Sequence, residues 1–168
     1  DNTTSAMFEK LPDTHGSIAE IMEKLYGYEF VCCYPYKSVE KREWYHFENH
    51  KWKKNAYSAI RKLLSQEVKA YYKRIKGRFM NKASTSIKDD DSPDTEITKK
   101  RIDHVDKIIK TLETTKFLDD VIKEAGFCMY KEEFFNALDS NPDLIGFENG
   151  VYDLKHATFT AGYPEDYI

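Results

Sequence analysis

Cys32, Cys33, His46 and His50 are the nearest approach to a metal-ligand set in this sequence. A zinc site needs its thiolates at about 2.3 Å from one ion. Adjacent cysteines in a strand project to opposite faces, and the two histidines flank a turn. The set therefore reads as core or partly buried cysteines. Asp89-Asp90-Asp91 offers carboxylates of the kind that hold divalent cations, but it sits in a Ser/Lys/Asp run that reads as solvated loop. Asp153 stands where a catalytic acid could, but the strand-end or turn carboxylate is the preferred reading. Nothing in the sequence places a nucleophile or a paired carboxylate beside His15 or His104. No G-x-x-x-x-G-K-[ST], G-x-S-x-G, H-E-x-x-H or C-x-x-C is present, so no phosphate loop, nucleophile elbow or zinc-protease pair is encoded. No catalytic residue and no metal ligand is assigned, and a self-contained enzyme is not expected.

The residues with a clearer chemical purpose are cationic. The net charge is −3, yet residues 37–82 hold 14 Lys/Arg against 4 Asp/Glu, leaving 12 basic and 25 acidic residues elsewhere. Such a split predicts one face for a polyanion and another for solvent or a basic neighbour. Arg61, Lys62, Lys69, Lys73 and Lys76 recur along one helical stretch and could touch phosphates without reading sequence, in a strongly salt-dependent way. Lys51, Lys53 and Lys54 extend the patch, and Trp52 could stack on a base if exposed. The acidic stretch from Asp94 to Asp120 could pair with basic patches on a neighbouring subunit.

These side chains need positioning elements. At 168 residues, one domain is the expectation, and 24 aromatic residues can supply its core. Residues 1–13 show little periodicity and are expected to be a flexible segment, with the domain covering 14–168. Ser17 to Glu20 reads as a capping box for a helix carrying Ile18, Ile21, Met22 and Leu25 and ending at Gly27. Tyr28 to Tyr34 reads as a strand, weakened at its end by Pro35. Glu43–Phe47 and Lys51–Lys54 read as a hairpin around Glu48-Asn49-His50, with Trp44, Phe47 and Trp52 covering one side of the sheet or its end. Ala56–Lys76 is the clearest helix, with Tyr57, Ile60, Leu64, Val68, Tyr71 and Ile75 as its stripe and Gly77 as its stop. A mobile loop is expected at about 81–92. Ser92-Pro93 then suits a helix start, followed by a stripe of Ile102, Val105, Ile109 and Leu112. A further helix runs from Phe117 to Gly126, and a short one over 131–138 closes at Asn141-Pro142. The tail reads as strand, turn and strand, with Asn149-Gly150 as the turn and a third strand over 157–161. The fold class expected is α+β, predominantly helical, with a small antiparallel sheet built from hairpins near residues 28–54 and 144–160.

Other classes are excluded. No run approaches the about 20 apolar residues that span a bilayer, and no secretory signal opens the chain. Three cysteines cannot build a disulfide scaffold and are expected to be reduced thiols. The chain begins with Asp1, from which we expect either a processed chain or, preferred, a fragment cut from a longer polypeptide.

The segment DSNPDLIGFENGVYDL at 139–154, followed by GYPEDYI at 162–168, resembles a recurring segment of the helicase–primases of nucleocytoplasmic large DNA viruses, the relatives of poxvirus, mimivirus and African swine fever virus. It lies there just ahead of the superfamily 3 helicase core. His15–Glu20 resembles that domain's first helix. Trp44–Trp52 resembles its aromatic hairpin, where Glu48-Asn49-His50 replaces the family's frequent Phe-Asp-Gly turn. The resemblance spans about residues 14–168. It implies a noncatalytic collar or linker joining a primase to a hexameric superfamily 3 ATPase. The parent would be an ATP-dependent DNA helicase (a hydrolase) with a primase domain, using ATP and Mg²⁺, with none of those catalytic residues in this chain and no cofactor bound by it. The implied partners are single-stranded or forked DNA, neighbouring subunits of a homohexamer, the primase and helicase domains of the same chain and other viral replication proteins, with no membrane. The implied location is the viral factory in the host cytoplasm. Trp44, Phe47, Asn149, Gly150, Val151, Tyr152 and Asp153 are then structural. The rival readings are a stand-alone nucleic-acid-binding module, a docking or oligomerisation domain without DNA contact, and a metal-dependent enzyme.

Overall fold

The computed structural model describes residues 2–34, 42–85 and 93–168. The chain runs α1 (Asn2–Glu9), α2 (His15–Tyr26), β1 (Phe30–Cys33), β2 (Glu43–Glu48), β3 (Lys51–Lys54) and α3 (Tyr57–Leu63). A π-helical turn (Leu64–Val68) leads into α4 (Lys69–Thr85), α5 (Pro93–Thr111), α6 (Thr115–Cys128) and α7 (Phe134–Ala137). Then come β4 (Leu144–Phe147), β5 (Gly150–Asp153), β6 (Thr158–Thr160) and a 3-10 turn (Pro164–Asp166). The fold is α+β and mostly helical, as the sequence predicts, and the strands form two antiparallel three-stranded sheets where one small sheet was expected. No helix among the described residues is long and apolar enough to cross a membrane. The chain divides into two compact units, residues 1–21 with 61–122, and residues 22–60 with 123–168.

The first unit is helical. Residues 2–9, expected to fray, form α1 instead. Phe8 is the reason: it is fully buried, stacked on Tyr71 with ring centroids 4.8 Å apart and edge-on to Tyr72 at 5.0 Å. The capping box of α2 lies one turn ahead of the expected one. The Thr14 hydroxyl accepts from the Ser17 N–H at 3.1 Å, and the Ser17 hydroxyl accepts from the Thr14 N–H at 3.1 Å. Each side chain thus satisfies a backbone donor that the helix start leaves open. Ile60, Leu64, Val68 and Tyr72 are all fully buried at four-residue spacing. On a regular α-helix each such step drifts by about 40°, and the wider turn at Leu64–Val68 takes up the drift. That register brings Tyr72, rather than the expected Tyr71, fully into the core. The Tyr72 hydroxyl donates to the Pro12 carbonyl, and burial pushes its pKa up. The helix does not stop at Gly77. It runs on to Thr85 and buries Phe79, so residues 81–85 are helix where a loop was expected, while 86–92, including Asp89–Asp91 and the Ser92 cap, lie outside the described residues. α4 packs against both α5 and α1, with Val105, Ile108 and Leu112 buried on α5.

The second unit holds the sheets. In the first, strand order is β1-β2-β3. Glu48 pairs with Lys51, which leaves Asn49-His50 as a two-residue turn with φ of 50° and 62°. Positive φ at both central positions is what a type I′ hairpin requires. Phe47 lies opposite Trp52, and both join a cluster with Val31, Cys33, Tyr45 and Phe134. Trp44 is three residues from Phe47 and so projects from the other face of β2; the three aromatics do not share one side. Cys32 and Cys33 are both buried because the free edge of β1 is also covered. The Cys32 N–H donates to Met129 O, and the Lys131 N–H to Cys32 O, each at 3.0 Å. Gly126, read as a helix stop, lies inside α6. A Cβ there would sit 2.5 Å from the Arg42 guanidinium, so the glycine admits Arg42, whose Nη1 donates to Lys123 O at 2.6 Å.

The second sheet has order β4-β5-β6. Phe147 pairs with Gly150, so the turn residues are Glu148 and Asn149 rather than Asn149-Gly150. Gly150 opens β5, where a Cβ would meet the Thr160 carbonyl at 2.2 Å; strand β6 leaves no room for a side chain.

Candidate nucleic-acid interface

The cationic residues singled out by sequence divide between the two units: Lys51, Lys53, Lys54 and Trp52 in the second, Arg61, Lys62, Lys69, Lys73 and Lys76 in the first. Trp52 is only 9% exposed. Its indole N–H donates to Pro164 O at 2.9 Å, and its ring meets Phe134 edge-on with centroids 4.9 Å apart. It packs in the core cluster rather than standing on the surface as a stacking platform. Lys53 holds Glu48 at 2.7 Å, which keeps that carboxyl below its usual pKa. Lys54 lies 2.9 Å from Glu43.

In the first unit, folding supplies counter-ions that the linear sequence separates. Arg61 bonds Asp119. Lys69 lies 3.4 Å from Glu113, and Lys76 lies 2.7 Å from Asp106. The acidic residues read as a face for another subunit are thus partly engaged within this chain. Lys51, Lys62, Lys73 and Arg74 form no ion pair among the described residues. The sequence pattern does not single out Arg74 and Arg78, although it does show their four-residue spacing and Tyr71 one turn before. Over 69–85, α4 carries six Lys/Arg and no Asp/Glu.

Residues read as possible chemical groups take structural roles here. The Asp153 carboxylate accepts the backbone N–H groups of Lys155 and His156 at 2.8 and 3.0 Å and pairs with His156 Nδ1 at 2.7 Å. The hydrogen bond from His156 lowers the Asp153 pKa and raises that of His156. Tyr152 pairs with Ile145 and Phe159, and Val151 is buried between Gly146 and Thr160. His50 is buried with Nε2 at 2.5 Å from Phe147 O, and His46 stacks on Phe30 at 4.2 Å. Among the described residues no three His, Cys, Asp or Glu side chains converge as a metal site. Burial pushes the Cys32 thiol up to about 12 and the Cys33 thiol to about 11. His104 and His15 have carboxylate neighbours that sequence could not place: Asp13 at 2.9 Å and Asp120 at 3.9 Å.

The site residues thus divide between buried packing positions in the sheets and a run of cations that is densest on α4. Residues 19–168 match the family described as D5 N terminal like, and the chain belongs to that family. It is 32% identical over 165 residues to the "Putative helicase L207/L206" of Acanthamoeba polyphaga mimivirus, covering 95% of this chain and 16% of that protein. It is 27% identical over 180 residues to the "Putative helicase 022R" of Frog virus 3, covering 91% of this chain and 18% of that protein. The chain is a D5 N terminal like domain of the kind these viral proteins carry, and it spans under a fifth of their length.

Proposed function

We propose that this domain is a noncatalytic collar or linker of a viral replicative DNA helicase–primase. It joins a primase to a hexameric superfamily 3 ATPase, and it touches DNA through the basic helix α4. Within the family, the observation that carries this reading is the composition of α4: six cations, no acids, with Lys73 and Arg74 exposed and unpaired by carboxylates among the described residues. ATP and Mg²⁺ belong to the parent's ATPase, and this domain's contribution is to hold and orient. Its contacts are to phosphates, so they carry no sequence preference.

The test is fluorescence anisotropy of the chain with single-stranded, forked and duplex DNA as salt is raised. The reading expects binding that is indifferent to sequence, weakens linearly in log[salt] and falls on Lys73→Glu. No binding at low salt overturns DNA contact. ATP turnover by the purified chain, abolished by substitution of one of its own residues, overturns the noncatalytic assignment.

A second reading, protein docking without DNA contact, is favoured by Ile145, Phe147, Leu154, Phe159 and Tyr163, all exposed on or beside the C-terminal sheet. Exposed apolar side chains grouped in this way suit a protein neighbour. Native mass spectrometry of the chain alone, where the collar reading expects a monomer, separates self-association from docking on other parts of a longer polypeptide.

A further inference from the structure

Between α1 and α4 lies a cleft of about 60 Å³ lined by Ser5, Phe8, Tyr71, Arg74, Ile75 and Arg78. We propose that this cleft binds one backbone phosphate of a nucleic-acid strand, clamped between Arg74 and Arg78. The proposal rests on the DNA-contact reading above and assigns that contact to particular residues.

The cleft is small and open to solvent, and its size suits a single phosphate group. Its walls supply complementary donors. Arg74 and Arg78 are four residues apart on α4, so their side chains lie on one face as neighbours. The Arg74 guanidinium carbon sits 4.2 Å from the Tyr71 ring centroid, and Phe8 covers the other face of Tyr71 at 4.8 Å with planes 6° apart. These contacts hold the guanidinium against the Tyr71 ring, and Arg74 has no carboxylate partner among the described residues, so its planar fork is suited to two parallel bonds to phosphate oxygens. Arg78 donates to the Ser5 hydroxyl, which aims that hydroxyl and the second guanidinium into the same space. Glu9, 3.4 Å from Arg78, is the carboxylate that an incoming phosphate displaces. Lys69 and Lys76, by contrast, are tied to Glu113 and Asp106 of α5.

The experiment is anisotropy of a fluorescein-labelled oligothymidylate with the full chain, wild type and Arg74→Gln/Arg78→Gln, over about 50 to 200 mM NaCl. The double variant is expected to bind more weakly, with the slope of log K against log[salt] shallower by about 0.7 for each phosphate the variant no longer neutralises. Arg74→Lys keeps the charge but not the fork, and its affinity should fall between the two. Lys69→Gln/Lys76→Gln should leave the slope near wild type. Inorganic phosphate should compete better than chloride at matched ionic strength against wild type, and no better against the double variant. If circular dichroism shows the double variant misfolded, Arg74→Gln alone decides, since Arg74 makes no ion pair among the described residues. Unchanged affinity and slope in a folded variant overturn the cleft while DNA contact stands. Failure of the wild-type chain to bind overturns both.

Discussion

Replacing Trp52 by Phe separates packing from base stacking at the one aromatic residue that sequence placed within the basic patch. The indole N–H donates to Pro164 O at 2.9 Å, and the ring contacts Phe47, at 5.3 Å, and Phe134, at 4.9 Å. Phe keeps a six-membered ring against Phe134 but removes the pyrrole edge, roughly 40 Å² of apolar area and so about 1 kcal/mol. It also strips a partly buried carbonyl of its donor, at about 1–2 kcal/mol. The sum is about 2–3 kcal/mol. With a urea slope of about 2 kcal/mol per molar, the unfolding midpoint should drop by about 1 M or more. Trp44, the other of the two tryptophans, is buried and remains to report unfolding by fluorescence. Oligonucleotide affinity measured in parallel under native conditions should not change. A midpoint within about 0.3 M of wild type, or weakened DNA binding at unchanged stability, would refute this argument and return Trp52 to the surface.

Three further outcomes follow from the geometry. Gly150→Ala should destabilise the second unit by about 2 kcal/mol or more, because its Cβ would fall 2.2 Å from Thr160 O; thermal unfolding measures this, and an unaltered midpoint would show that β6 moves aside freely. In native protein at pH 8, a thiol reagent should leave Cys32 and Cys33 unmodified until unfolding, since both are buried with pKa values pushed up to about 12 and 11; peptide mapping reads the sites, and fast labelling of either residue contradicts the burial. By NMR, His156 should titrate above its usual value because Asp153 bonds it, and Asp153→Asn should bring the midpoint back to about 6.5. For this pair the depressed Asp153 carboxyl adds stability above its unfolded pKa, lost as pH falls through the folded value, and the raised His156 adds stability below its unfolded pKa, lost as pH rises through the folded one. The contribution is therefore largest between about pH 4 and 6.5.

Much of the fold is legible in the sequence because it depends on neighbours along the chain. The hairpin at 43–54, the buried positions Ile60, Leu64, Val68 and Ile75 and the third C-terminal strand all follow from local sequence pattern. What is not legible depends on distant partners. Phe8 orders α1 only because Tyr71 and Tyr72 arrive from α4. Gly126 looks like a helix terminator until Arg42 is known to lie against it. Gly150 looks like a turn residue, whereas it is required by the backbone of β6. Residue type groups Trp44 with Phe47, although strand alternation puts an odd spacing on opposite faces. At the candidate site the residue class is readable but the choice of residues is not. Lysines and arginines on one helix look equivalent in sequence, and only the placement of α5 and α1 distinguishes paired from unpaired.

That pairing bears directly on how strongly salt should oppose DNA binding. Counted along the sequence, residues 37–82 carry a surplus of ten positive charges. Ten phosphate contacts on single-stranded DNA would give a slope of log K against log[salt] near about −7. Folding takes up part of that surplus: Arg61, Lys69 and Lys76 hold carboxylates from outside the segment, while Lys53 and Lys54 hold Glu48 and Glu43 within it. In the first unit, Lys62, Lys73 and Arg74 stay without an ion pair among the described residues, and Arg78 can exchange Glu9 for a phosphate. Three or four contacts predict a slope of about −2 to −3. The two values are far enough apart for one titration series to decide between them. A slope near −7 would mean that the internal ion pairs open when DNA binds, and Lys76→Gln would then lower the slope as much as Arg74→Gln does.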